Sequence, residues 1–323
     1  MSELSLKLAC WDYDRTRPLL DGRVRPEGIS LDITLMRPQQ AFQAMLRGGE
    51  FDVAEMSLAN YASLKARGEC PFVAIPVMLS KMFRHSCIYV RADAGIDSPT
   101  DLKSKRAGTA QFTSTGVVFA KGMLEHEYGV SQRDMHWWIG GLHEPLPAPP
   151  TAPASLPGMR MDYLSGEQTL EKMFRAGDLD VLFANHFPSL WTEGWPGIRR
   201  LFPDHKAAEK EYHRKTGIFP VMHTVVIRDE LHRRHPFVAG NLYRAFCEAR
   251  DLAVSALYDT DALRVTIPWL IDHVEEARAA LGVDYFAYGV EKNRPALAAI
   301  GRYLYEQQIA PRIVLPEELF VEV

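Results

Sequence analysis

Cysteine is scarce and scattered in this sequence. The 323-residue chain has four, Cys10, Cys70, Cys87 and Cys247, with no C-x-x-C spacing, and three of them lie in or beside apolar runs. They read as buried free thiols of a reducing compartment rather than as disulfides or a metal site. No uninterrupted apolar run is long enough to span a bilayer. Met1-Ser2-Glu3-Leu4 leads towards a strand without a basic segment or an apolar leader, so no secretory signal is expected and a cytoplasmic location is. Charge of one sign is missing too: 37 basic against 41 acidic residues, a net charge of −4, mixed along the chain. That excludes the electrostatic footprint of a nucleic-acid or acidic-membrane binder, while leaving open the local capture of a small anion. No G-x-S-x-G, P-loop or G-x-G-x-x-G fingerprint is present, nor any internal repeat. His232 and His235 have arginines between them and Pro236 after them, which reads as the entry of a helix rather than a metal pair; no metal site is expected.

What is present is the balance of a globular protein, 47% hydrophobic and 24% charged, in a chain long enough for two lobes. Leu4, Leu6, Leu8 and Cys10 alternate as in a strand, and Pro18 suits the first turn of a short helix. Between them stand Trp11, Asp12, Tyr13, Asp14, Arg15, Thr16 and Arg17, more charge and aromatic surface than a simple connection requires. Loops at the carboxyl ends of strands in open α/β sheets are where ligands bind. A solvated turn in which Asp and Arg pair with each other is the bland account; a loop that handles an anionic ligand is the sharper one.

A second strand over 29–36, a helix over 39–46, a buried strand over 51–56 and another helix follow, an alternation that implies a mostly parallel sheet. The second carboxyl-end loop contains Glu55, Ser57 and Asn60. Two segments each place a histidine, His85 and His223, just before a β-prone run ending in arginine, as expected of paired crossovers between lobes. Residues 111–116 precede an apolar helix, and Thr113, Ser114 and Thr115 are equally capping material and donors for a carboxylate or phosphate. Residues 144–158 hold six prolines and read as an extended arm suited to contact with a second subunit. Residues 185–187 form a third loop, with His186. Helices are expected over 241–257, 261–280 and 294–307. The expected division is 1–86 with 226–323 in one lobe and 87–225 in the other.

The segments Asp12-Tyr13-Asp14-Arg15-Thr16-Arg17-Pro18-Leu19, Phe51-Asp52-Val53, Glu55-Met56-Ser57, Cys70-Pro71-Phe72-Val73-Ala74-Ile75-Pro76, Met82-Phe83-Arg84-His85-Ser86 and Thr216-Gly217-Ile218-Phe219-Pro220-Val221-Met222-His223 resemble the 4,5-dihydroxyphthalate decarboxylase family. Arg200-Leu201-Phe202-Pro203-Asp204 and Pro316-Glu317-Glu318-Leu319-Phe320 extend the likeness nearly end to end. Trp11 and the loops 111–116 and 185–187 depart from the family pattern. The resemblance implies an α/β, type 2 periplasmic-binding-protein-like architecture: two mixed sheets, two crossover strands, and lobes closing on a ligand. It also implies decarboxylation of a hydroxylated aromatic dicarboxylate. A non-catalytic binding protein or sensor of a small carboxylate is the alternative.

Losing CO₂ from an aromatic ring requires a base near a ring hydroxyl, an acid over the carbon that bears the carboxylate, and cations on the spectator carboxylate. This logic calls for no cofactor. His85, His223 and Asp14 are the proton-transfer candidates. Arg15, Arg17 and Arg84 are candidate carboxylate clamps, because a guanidinium meets a carboxylate with two parallel hydrogen bonds. Ser57, Ser114 and Thr115 would donate hydrogen bonds, His186 would read the substrate, and Trp11 would stack on a ring.

Overall fold

The computed structural model describes residues 3–146, 156 and 158–323. Most of the proline-rich stretch, residues 147–155 and 157, therefore lies outside the described residues. Among those described, eleven strands occur in the order β1 (Leu4–Cys10), β2 (Ile29–Leu35), β3 (Val53–Ser57), β4 (Phe72–Lys81), β5 (Ile88–Arg91), β6 (Arg106–Thr109), β7 (His136–Ile139), β8 (Arg160–Tyr163), β9 (Val181–Phe183), β10 (Ile198–Arg200) and β11 (Val221–Arg228). They make two mixed sheets, ordered β2-β1-β3-β11-β4 and β10-β5-β9-β6-β7-β8.

The first sheet belongs to a unit comprising Met1–Lys81, Val221–Ala298 and Val314–Val323. Its β2, β1 and β3 are parallel, and β11 runs antiparallel to both β3 and β4. All five residues of β3 are buried, the signature of a strand covered on both faces. Pro76, which has no N–H to give a ladder, is tolerated inside β4 because β4 lies at the edge of the sheet. That edge is covered by chain from elsewhere: the Val321 N–H donates to the Ala74 carbonyl at 3.0 Å and the Gly289 N–H to the Pro76 carbonyl at 2.8 Å.

The second unit comprises Met82–Pro220 and Ala299–Ile313. Its core gathers Tyr89, Leu170, Phe174, Leu179, Leu182 and Ile198. The helix Val290–Glu306 begins in the first unit and ends in the second, so residues 299–313 do not stay with the first lobe as expected from the sequence. The reason is packing. A Cβ on Gly122 of the helix Thr115–Tyr128 would collide with the Tyr303 ring, and the Gln307 amide donates to the Val118 carbonyl at 2.9 Å. Chain passage to the second unit falls at Lys81/Met82 and back at Pro220/Val221.

Two further differences have local causes. The helix expected over 261–280 forms only as Leu270–Leu281, because Pro268 cannot continue a helix and Trp269 adopts a left-handed backbone with φ 57°. β11 starts at Val221, so His223 lies inside the strand. Among the described residues no helix is long and apolar enough to cross a membrane.

Candidate active site

β1 and β3 end on the same sheet edge at which the antiparallel β11 begins, and three polar side chains meet there. Glu55, in β3, is fully buried. Its Oε1 accepts from the Tyr13 hydroxyl at 2.6 Å and lies 2.7 Å from His223 Nδ1, while its Oε2 accepts the Trp11 N–H at 3.0 Å. Register explains the meeting with histidine. Val225 stands opposite Glu55 across the β3/β11 ladder, and His223, two residues away, is the diagonal neighbour on the same face.

The loop after β1 is shaped to deliver Tyr13. The buried Thr16 hydroxyl donates towards the Trp11 and Tyr13 carbonyls, both at 3.0 Å, and accepts the Tyr13 N–H at 3.0 Å. Pro18 then starts the helix Arg17–Leu20.

Burial alone would raise the Glu55 pKa, but hydrogen bonds from His223, Tyr13 and the Trp11 N–H overcome it and hold the carboxyl below its ordinary value. An ionised Glu55 has no proton to give, so the proton between it and His223 resides on Nδ1, and Nε2 carries the free lone pair. Tyr13 is driven the other way, by burial and then by the Glu55 charge, so it remains a phenol that donates. Phe42 packs edge-on against the His223 ring at 5.0 Å and fixes its plane. Cys10 is neutral next to this network: burial, then Glu55 and Asp12, push its thiol up to about 12.

Arg15 adjoins the network. Its guanidinium stands 4.0 Å from the Tyr13 ring centroid and 4.7 Å from that of Phe286. Nε donates to the Leu79 carbonyl at 2.7 Å and Nη1 to Asp14 at 2.9 Å. Two aromatic rings and a carbonyl thus hold the fork in one place.

The chain is 34% identical over 320 residues to a 4,5-dihydroxyphthalate decarboxylase from Comamonas testosteroni, covering 99% of this chain and 97% of that protein. It belongs to the 4,5-dihydroxyphthalate decarboxylase family. A relative of the same name from Pseudomonas putida is 33% identical over 214 residues, 66% of this chain and 83% of that one. A family model described as the periplasmic substrate-binding protein of a phosphonate ABC transporter matches residues 14–145. Among solved structures, the aliphatic sulphonate binding protein SsuA from Escherichia coli superposes with a TM-score of 0.55 at 12% identity, covering 99% of this chain and 93% of that one. An SsuA from Methylobacillus flagellatus gives 0.58 at 13%, covering 99% and 92%. These likenesses show the type 2 periplasmic-binding-protein-like fold.

In this member of the decarboxylase family, the residues singled out from sequence are divided between the units. Asp14 is exposed and paired with Arg15, and Arg17 forms an exposed fork with Asp12 at 2.8 Å for both contacts. The bland account of the loop as paired Asp and Arg thus describes Arg17, while Arg15 sits in the aromatic sandwich. Trp11 is half-buried under Arg37, whose guanidinium is 5.5 Å from the indole ring. Ser57 is buried as the cap of the helix Leu58–Arg67, accepting the Asn60 N–H at 3.4 Å.

The second unit holds the remainder. Arg84 lies against Gly116, where an added Cβ would stand 2.8 Å from the guanidinium carbon. Ser114 accepts from the Asn185 amide at 2.9 Å, Thr115 is buried at the first turn of its helix, and His186 is exposed. Arg84, Ser114, Gly116 and Asn185 therefore converge at one helix start. His85 does not join His223. It is 1% exposed, packs edge-on against Phe202 at 5.0 Å and Tyr212 at 5.3 Å, and both its ring nitrogens are buried without a hydrogen bond. Burial, with a smaller contribution from His205, pushes its pKa down to about 4.

Glu55 and Tyr13 were missing from the sequence-derived candidates. The available signal was the lone charge in the otherwise apolar Val53–Ser57, since an unpaired carboxylate is not left inside a buried strand.

Proposed function

We propose that this protein decarboxylates a hydroxylated aromatic dicarboxylate such as 4,5-dihydroxyphthalate, with His223 as the proton-transfer residue and Glu55 as its orienting carboxylate. The observation that carries the reading is the Tyr13–Glu55–His223 network: an ionised, buried carboxylate fixes the tautomer of a histidine whose other nitrogen is free, the arrangement a general acid–base group needs. The family relatives supply the substrate class.

In this reading a ring hydroxyl para to the departing carboxylate gives up its proton to water, His223 takes a proton from solvent on Nε2, and electron density moves to the carbon bearing that carboxylate. The protonated His223 delivers a proton from Nε2 to that carbon. The bond to the carboxylate then breaks, CO₂ leaves, and the electron pair restores the aromatic ring. Glu55 stabilises the imidazolium while it is charged, and Tyr13 keeps Glu55 in place. Arg15 offers Nη2, the part of its fork outside the bonds to Leu79 and Asp14, to a carboxylate of the substrate. In the second unit, Arg84 and Ser114 meet at one helix start above the buried Thr115, a place suited to an anion.

The test is CO₂ release from 4,5-dihydroxyphthalate, followed together with binding heat, in the wild type and in His223→Ala. Turnover that falls by about 10²-fold or more in His223→Ala, with substrate binding retained, supports the assignment. Wild-type turnover in His223→Ala overturns it. Stoichiometric binding by the wild type without CO₂ release favours the second reading, a small-carboxylate binding protein, which the match to a transporter substrate-binding family leaves open.

A further inference from the structure

Lys121 stands in the middle of the helix Thr115–Tyr128 with 1% of its surface exposed, and the reaction above makes no use of it. A lysine amine donates through its N–H bonds. Three acceptors surround Lys121 Nζ: the Phe112 carbonyl at 3.2 Å, Gln132 Oε1 at 3.0 Å, and the face of the Phe112 ring, with its centroid at 3.3 Å. Two of the three belong to Phe112, a residue of the loop 111–116. Phe112 is itself set edge-on against Trp137 at 5.0 Å, and the Trp137 indole N–H donates to the Gln132 carbonyl at 2.8 Å. Gln132 in turn donates to the Gln307 carbonyl at 3.2 Å. A buried polar chain thus runs from the end of the helix Val290–Glu306 to the loop, and the amine is its last link.

An amine buried this completely carries a large desolvation cost, and an apolar side chain of similar length usually packs a core as well or better. Burial also pushes the Lys121 pKa well below the ordinary lysine value. The contacts made against that cost go to the loop's backbone and ring. The same loop carries Ser114 and leads into the helix turn that lies against Arg84.

We propose that Lys121 is a positioning residue for the loop 111–116, fixing the Phe112 carbonyl and ring so that Ser114 and the first turn of the helix are presented to the ligand. The inference rests on reading that loop as a ligand surface. Lys121→Met fills the same space without donors. With 4,5-dihydroxyphthalate as the probe, it is expected to weaken calorimetric binding about tenfold and to raise KM more than it lowers kcat. Its thermal midpoint should stay where it is or rise. A lysine that merely supports the core gives the reverse, a lowered midpoint with wild-type affinity in the folded fraction, and that result overturns the proposal. Ser114→Ala is measured alongside. Weakened binding in Ser114→Ala with wild-type affinity in Lys121→Met overturns the role of Lys121 alone, whereas wild-type affinity in both overturns the ligand-loop reading as well. Should Lys121→Met fail to fold, Phe112→Leu keeps the carbonyl but removes the ring, and the same comparison applies.

Discussion

Replacing His85 by phenylalanine separates packing from proton transfer. The imidazole lies between Phe202 and Tyr212 with both nitrogens buried and unbonded, and its pKa is pushed down from 6.5 to about 4. Because the folded state resists protonation, the unfolded chain binds the extra proton at pH values between those two. Stability from this residue is therefore complete above pH 6.5 and is lost as pH falls towards 4. The fall from 6.5 to about 4 sets the full loss at about 3 kcal/mol, of which about 2 kcal/mol is gone by pH 5. His85→Phe removes this liability and offers an aromatic ring to the same edge contacts. At pH 7.5 it should match or exceed the wild type, since two unmade buried hydrogen bonds disappear with it. Urea unfolding at constant ionic strength, at pH 7.5, 6, 5 and 4.5, gives the difference between the two proteins. Carboxylates such as Glu55 titrate in both and cancel. Parallel stability curves would refute the argument, and so would loss of CO₂ release in His85→Phe at neutral pH, which would return His85 to the chemistry.

Glu55→Gln keeps the shape of the side chain but removes the charge behind His223 and sets an amide against groups that now donate to a carboxylate; kcat should fall by about 10²–10⁴-fold. Because the Glu55 pKa is lowered in the folded state, its contribution to stability is present above the ordinary carboxylate range and is lost as pH falls through the folded value. Urea unfolding of the variant should therefore show a shallower loss of stability in acid than the wild type, and an unchanged acid limb would contradict the assignment. Gly116→Ala places a methyl group 2.8 Å from the Arg84 guanidinium carbon and against Asn185. It should weaken calorimetric binding of 4,5-dihydroxyphthalate about tenfold, with a thermal midpoint within a few degrees of wild type; equal binding would remove Arg84 from the ligand surface.

Sequence periodicity served well where burial is one-sided or complete. β1 alternates, β3 is a short apolar run, and the helices Pro38–Arg47 and Leu58–Arg67 carry clear apolar stripes. It failed where little is buried. The helix His205–Thr216 buries only Tyr212, and β8 and β10, four and three residues long, are too brief to show a period.

The site followed the same rule. The loop after β1 stood out through its charge density, and one histidine of the network was identified. Glu55 was noted in its loop without being singled out, because a carboxylate announces its role only through partners, and Tyr13 and His223 lie 42 and 168 positions away. His85 and His223 look alike in sequence, each close to a β-prone run ending in arginine. One meets a carboxylate and the other meets aromatic rings, a difference set by which strand or helix arrives beside them.

The cover over the outer edge of β4 bears on how the chain is made. During synthesis β4 emerges long before β11, its ladder partner among the described residues, and Val321, which caps its far side, follows later still. Until β11 is made the nascent first unit holds an apolar strand with both edges open, a template for pairing with a neighbouring chain. The strands of the second unit among the described residues are complete by residue 200, and the unit then waits for Ala299–Ile313. Between the synthesis of β4 and that of β11 the first sheet is therefore a point at which chaperones have something to hold.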